Sequence, residues 1–353
     1  MHSRSLLNSS VRTLRHGLAP AAAACLTLAT ATANAETPSV VTTIKPLHSI
    51  ATAVMEGVGT PHILIDGASS PHGFALKPSQ AALLQEASAV FWVGPELAPA
   101  LAKPIESMAD DAVVVEFMES AGIHHLDIRE GTSFDSHDHD HGDEHEEAHG
   151  EHEGEETHEE HAAHEYHEDD AHEAGHEHVE AHDPHLWLNP ENGIAIAGVM
   201  AETLAELDPG NAATYRENAA KFTSRIETLE QEIRAELEPL SDKKFVVFHD
   251  AYHHFEHHFE IEASGSVTVS PEALSSADRV AAIQDRIKEL GVVCVFQEPQ
   301  FDAKLVDVVL EGSNARKGTL DPLGTDLANG PDLYPQLLEN LSGSLAACLN
   351  GQS

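Results

Sequence analysis

Four short, uninterrupted apolar runs constrain the architecture most. They are "AVFWVG" at 89–94, "AVVVEF" at 112–117, "KFVVFHD" at 244–250 and "VVCVFQE" at 292–298. A strand with one wet face alternates apolar and polar residues. The first two, continuously apolar, instead read as strands covered on both faces, "VVCVF" reads as a buried strand and "KFVVFHD" as a strand. Helical patterns lie between them: "KPSQAALLQEA", "PENGIAIAGVMAETLAEL", "VAAIQDRIKELG" and "DAKLVDVVLEGS". Strands alternating with helices give an α/β layer architecture with mostly parallel sheets. "VVTTIKPLHSIATAVM" adds a strand turning into a helix, "PHILIDG" a further short strand, and "LYPQLLENLSGSLAACLN" a terminal helix.

Two segments depart from this pattern. From Asn211 to Glu238 there is no Gly or Pro, and Tyr215, Phe222, Ile226, Leu229, Ile233 and Leu237 form one stripe at helical spacing. Such a helix is a rod of roughly 40 Å. It serves either as a stiff spacer between two domains or as a surface helix with one packed face. Between about 133 and 182 large apolar residues almost vanish, and histidine, carboxylate and glycine take over. That composition cannot bury enough surface to offset its ordering entropy, so a disordered insertion is expected.

The chain has 353 residues, with 60 acids against 19 bases and a formal charge of −41. A surface so acidic repels nucleic acid and anionic lipid and attracts cations. Residues 1–35 read as an export signal: Arg4, Arg12 and Arg15 with no acid, a modest apolar run, then small residues at Ala33 and Ala35. A disordered tail or a short buried helix is the alternative. Cys25 would leave with the signal, so Cys294 and Cys348 remain, either bridged in an oxidising compartment or as two buried free thiols.

Three histidines outside the low-complexity segment stand at element edges. His72 follows a strand in "GASSPHGFALKPS", His185 sits in "HDPHLWLNP" before a helix, and His249 closes "FVVFHD". Ends of strands are where open α/β sheets place ligands. A lone histidine at such a place is more often a hydrogen-bonded rim residue, so convergence is the deciding question.

"PHGFALKPS", "DPHLWLNP", "FHDAYHHF" and "GTLDPLGT", in this order, resemble the motifs of the periplasmic zinc-binding proteins of bacterial zinc ABC importers. The resemblance spans nearly all of the chain after the leader. It implies two α/β lobes, 36–209 and 240–353, joined by a linker helix at 210–239, with a metal cleft between them. His72, His185 and His249 would be the zinc ligands and Cys294–Cys348 the disulfide. Three imidazoles suit tetrahedral Zn2+, whereas manganese-binding relatives carry carboxylates at two of four positions. Some zinc members place a glutamate before the first histidine; here Pro71 stands there. The fourth position then falls to Asp321 or to water. Asp250 is expected to orient His249, or to cap the helix that follows. His253, His254, His257 and His258, in "YHHFEHHF", read as surface histidines or as a secondary metal contact, and this run lacks the HExxH order, which argues against a zinc peptidase site there.

The insertion histidines, among them His137, His139, His141, His145, His149 and His152, are expected to hold zinc weakly and in many arrangements. The function implied is periplasmic Zn2+ capture and delivery to a membrane permease with its ATPase. A monomer is expected, with a periplasmic metallochaperone as a further partner and no enzymatic activity. The rivals are the same fold serving manganese or another divalent ion, a zinc hydrolase, and a metal-storage protein acting through the insertion.

Overall fold

The computed structural model describes residues 37–129, 181–268 and 276–352. The leader reading at 1–35 and the insertion histidines fall outside them. The first sheet holds β1 (Val40–Thr42), β2 (His62–Ile63), β3 (Ala89–Trp92) and β4 (Val113–Glu116) in the order β2-β1-β3-β4. The second holds β5 (Phe245–Val246), β6 (Cys294–Gln297) and β7 (Arg316–Thr319) in chain order. Every pairing between these strands is parallel.

Helices make the crossovers that parallel strands need. They are α1 (Lys45–Val54), α2 (Pro78–Gln85) and α3 (Pro99–Met108) around the first sheet, and α6 (His253–Phe259), α7 (Ala277–Leu290) and α8 (Lys304–Leu310) around the second. Proline opens α1, α2 and α3 within their first turn, where its missing N–H costs nothing. α4 (Pro190–Leu207), α5 (Ala212–Leu237) and α9 (Leu333–Leu349) fill the middle.

α5 is the long rod. Its stripe of Tyr215, Phe222, Ile226, Leu229, Ile233 and Leu237 is buried, and it packs on α1, α4 and α9. One continuous apolar core results. It runs from Val41 and Phe91 of the first sheet, through this stripe, to Phe245 and Phe296 of the second. Alternate residues of the second sheet turn the other way: Val246, Phe248 and Val295 pack with Ile283 and Ile287 of α7 and Val306 and Val309 of α8. Lys45 adds a polar tie, since its buried ammonium donates to the carbonyls of Thr325 and Leu327, each at 2.8 Å. Cys294 and Cys348 are bridged, which fastens α9 to β6.

One expectation needs correcting. "AVVVEF" is a strand but is not covered on both faces. β4 ends the sheet order, and its Val113 and Val114 are 43% and 41% exposed.

Candidate metal centre

His249 extends from β5 and is placed by strand register. Phe245 pairs with Cys294 and Val246 with Val295. Carried forward, that offset sets His249 opposite Glu298, and His249 Nδ1 lies 2.7 Å from Glu298 Oε1. The ring is thereby turned so that Nε2 faces away from the carboxylate. This Nε2 is buried and has no hydrogen-bond partner among the described residues.

His185 precedes a single 3-10 turn, Leu186–Leu188, that leads into α4. Trp187 in that turn is fully buried and donates from Nε1 to the carbonyl of Pro322 at 2.8 Å, which anchors the turn to the second half of the chain. Asp183 Oδ1 holds His185 twice, at Nδ1 (2.7 Å) and at the backbone N–H (3.0 Å). His72 comes from the loop between β2 and α2, behind the buried Pro71.

The three rings meet. His72 Nε2 and His185 Nε2 are 3.3 Å apart. Ring centroids are separated by 5.3 Å (His72–His185), 5.8 Å (His72–His249) and 5.3 Å (His185–His249). One ligand atom from each lies within 4.8 Å of the others. Two nitrogens bound to one tetrahedral zinc at about 2.0–2.1 Å must stand roughly 3.3–3.4 Å apart. The 3.3 Å edge therefore has the length of a coordination edge. Trp187, Phe301, Pro71, Pro322 and Leu323 wall the group, leaving a cavity of about 10 Å3. That is room for about one ion or water.

The electrostatics differ around the group. Burial, then the neighbouring His185 and His249, push His72 down to about 3, so it stays a neutral donor. Burial also works against a charged His249, but the charge and hydrogen bond of Glu298 outweigh it, with help from Asp250 and Asp183, and its pKa is raised. Burial alone would raise Asp183. The charge and hydrogen bonds of His185, with His254, bring it down to about 2.

Two expectations give way. Asp321 does not join the group. Its carboxylate is engaged by Gln300 Nε2 (2.7 Å) and by the backbone N–H groups of Leu323 (3.0 Å) and Thr325 (2.5 Å). Asp250 does not orient His249; it pairs with the guanidinium of Arg129, which also holds Glu256 at 2.8 Å. Glu298 takes the role expected of Asp250.

Nor are the α6 histidines all on the surface. His254 is fully buried with Nε2 3.2 Å from the Asp183 carbonyl, and the side chain of His258 is only 8% exposed beside Glu230. Only His257 of the four is exposed.

Sequence reasoning passed over Asp183, Glu298, Arg129 and Gln300. A carboxylate two residues before His185, and another ending the strand beside that of His249, were the available signals.

Where the described chain breaks off at Arg129 and resumes at Ala181, its two ends form a short antiparallel ladder. Ile128 N–H donates to Ala181 O at 3.0 Å and Asp183 N–H to Leu126 O at 2.8 Å. His125 and His182 stand there with ring centroids 5.4 Å apart.

Comparison with known proteins fits this geometry. The family described as zinc-uptake complex component A, periplasmic, matches residues 40–348. The chain is 48% identical over 319 residues to the high-affinity zinc uptake system protein ZnuA of Brucella suis biovar 1 (strain 1330), covering 89% of this chain and 92% of that protein. It is 42% identical over 333 residues to the protein of the same name from Paracoccus denitrificans (strain Pd 1222), covering 93% and 96%. A crystal structure of ZnuA superposes with a TM-score of 0.69 at 23% identity, covering 89% of this chain and 99% of that one, and so shares the fold. The chain thus belongs to the family of periplasmic components A of zinc-uptake complexes.

Proposed function

We propose that this protein captures Zn2+ in the periplasm between His72, His185 and His249 and hands it to the permease of an ABC importer. One observation carries the reading. Three imidazoles from segments far apart in the chain bring nitrogens within 4.8 Å of one another, one pair at the 3.3 Å edge of a tetrahedral ion, and two of the rings are braced from behind by carboxylates. The names of the Brucella and Paracoccus relatives support zinc as cargo and uptake as its purpose.

The donor set favours zinc over manganese, because among the described residues no carboxylate joins the three imidazoles. Residues 1–35 act in this reading as the export leader, and the lobes at 36–209 and 240–353 flank the helix at 210–239. Among the described residues no helix is long and apolar enough to cross a membrane. Because one core runs through both sheets and the rod, loading moves the halves little.

Calorimetric titration of chelator-treated protein with Zn2+ and Mn2+ tests the proposal. One tight zinc site is expected, with manganese much weaker. His72→Ala, His185→Ala and His249→Ala should each weaken zinc by at least about a hundredfold, more than the loss of a bracing carboxylate costs. Unchanged affinity in these variants would hand the role to the insertion histidines and make the protein a metal store.

A further inference from the structure

Three other side chains with a buried oxygen that lacks a partner among the described residues line the cavity shared by the three imidazoles: Ser70, Gln300 and Glu298, whose other oxygen braces His249. Ser70 Oγ and Gln300 Oε1 are both buried and find no hydrogen-bond partner among the described residues. Buried polar atoms are seldom left so, and these two, beside one ion-sized cavity, need a common explanation.

The orientation of the Gln300 amide is fixed. Its Nε2 donates one hydrogen to Asp321 Oδ1 at 2.7 Å and the other to Thr325 Oγ1 at 2.9 Å. Thr325 in turn donates its hydroxyl hydrogen to Asp321 Oδ1 at 3.3 Å. Turning the amide over would set its carbonyl oxygen against a carboxylate. Asp321 is itself held by the backbone N–H groups of Leu323 and Thr325, and Lys45 holds the Thr325 carbonyl from α1. The amide atom of Gln300 left without a partner is therefore its oxygen, which accepts and cannot donate.

Three histidines leave a tetrahedral cation one position to fill. A water there gives a lone pair to the ion and turns two O–H groups outward. We propose that this water is held by Gln300 Oε1 and Ser70 Oγ, each accepting one of its protons, and that Asp321 is the residue that aims Gln300. The inference rests on the tri-histidine reading and assigns its fourth position. It also selects what can sit there. An acceptor facing the position favours neutral water and disfavours anions, which offer it no hydrogen. A neutral water leaves without breaking a protein bond, which suits a carrier that must surrender its ion.

The test uses the full chain loaded with one equivalent of Co2+, whose visible spectrum reports exchange at the fourth position, together with zinc affinity by chelator competition. Azide is the anionic probe. In Gln300→Leu, zinc should bind about tenfold more weakly and azide at least about tenfold more tightly, within the range expected for a group behind the coordination sphere. Asp321→Asn should shift both in the same directions, and Ser70→Ala should do so less. Gln300→Met, close in length and likewise without the amide oxygen, should shift both affinities as the leucine variant does, which keeps the test open should the leucine variant misfold. Wild-type zinc and azide affinities in Gln300→Leu would overturn the proposal. So would loss of zinc binding in Asp321→Asn alone, which would make Asp321 a ligand. A tight site that survives His185→Ala would instead defeat the tri-histidine reading beneath it.

Discussion

Glu298 Oε1 lies 2.7 Å from His249 Nδ1, and both side chains are almost wholly buried, at 1% and 6% exposure. The carboxylate fixes the ring, settles which nitrogen faces the cavity, and raises the affinity of His249 for a proton or a cation alike. Glu298→Gln keeps the shape and an acceptor but removes the charge. Zinc affinity should fall about 10–100-fold while the metal-free fold survives. Chelator competition measures the first and circular dichroism the second. An affinity within about twofold of wild type would show that the charge behind His249 does not act on the metal.

How far the sequence revealed this site follows from the physics of each part. The strands at 89–92 and 294–297 and the helices at 190–207 and 212–237 were legible, because burial imposes a period that composition displays. The three histidines were legible because rigid motifs surround them. The exposed face of β4 was not, since the residues of a strand do not say whether another strand lies beyond it. Glu298 and Asp250 show why the bracing groups were misassigned. Asp250 is adjacent to His249 in sequence, but Glu298 is adjacent across the sheet, and only strand register reveals that. His254 reads as a surface residue in a polar run, yet its helix packs that face against the loop bearing Asp183.

Arg129 ties the start of the insertion to the segment after His249. Its guanidinium meets Asp250 and Glu256, and Glu256 is 1% exposed. Removing the cation leaves two carboxylates facing each other in a buried place, which costs about 3–5 kcal/mol. Arg129→Met should lower the free energy of urea unfolding by that order. The triple variant Arg129→Met, Asp250→Asn, Glu256→Gln should recover much of it, because these two carboxylates then carry no charge. A single variant as stable as wild type would show that water reaches these carboxylates.

Acid should loosen the metal-free protein between about pH 6.5 and 4. His253 is pushed down to about 4 by burial and by Arg129, against the pull of Asp183 and Asp250, with His254 adding to the shift. His48 and His254 are lowered as well, in each case first by burial. A histidine whose folded pKa lies below its unfolded value adds stability in full above the unfolded value, near 6.5, and loses it as pH falls toward the folded one. Asp183, held at about 2, retains its contribution throughout that window. The melting temperature of the chelator-treated protein should fall steadily from pH 6.5 to 4. His253→Asn should flatten the decline in the lower half of the range. A melting temperature constant across the range would mean that these rings are hydrated in the fold.

The bridge between Cys294 and Cys348 closes a loop of 54 residues and joins β6 to the last turn of α9. In the chain-entropy account, constraining the unfolded chain over such a loop is worth about 4 kcal/mol. The bridge sits at the edge of the continuous core, where Leu341, Leu345 and Leu349 of α9 are buried together with Phe296. Loss of the bond therefore acts mainly on the unfolded state and leaves these contacts in place. Cys294→Ala with Cys348→Ala should unfold at lower urea, with about 4 kcal/mol less stability, yet bind zinc as tightly as the bridged protein. Neither cysteine touches the histidine group, and α5 still spans the two sheets. If the variant instead lost zinc affinity in step with stability, the position of β6, and with it Glu298 behind His249, would depend on the bridge. Paired urea and zinc titrations on the same preparation tell these outcomes apart.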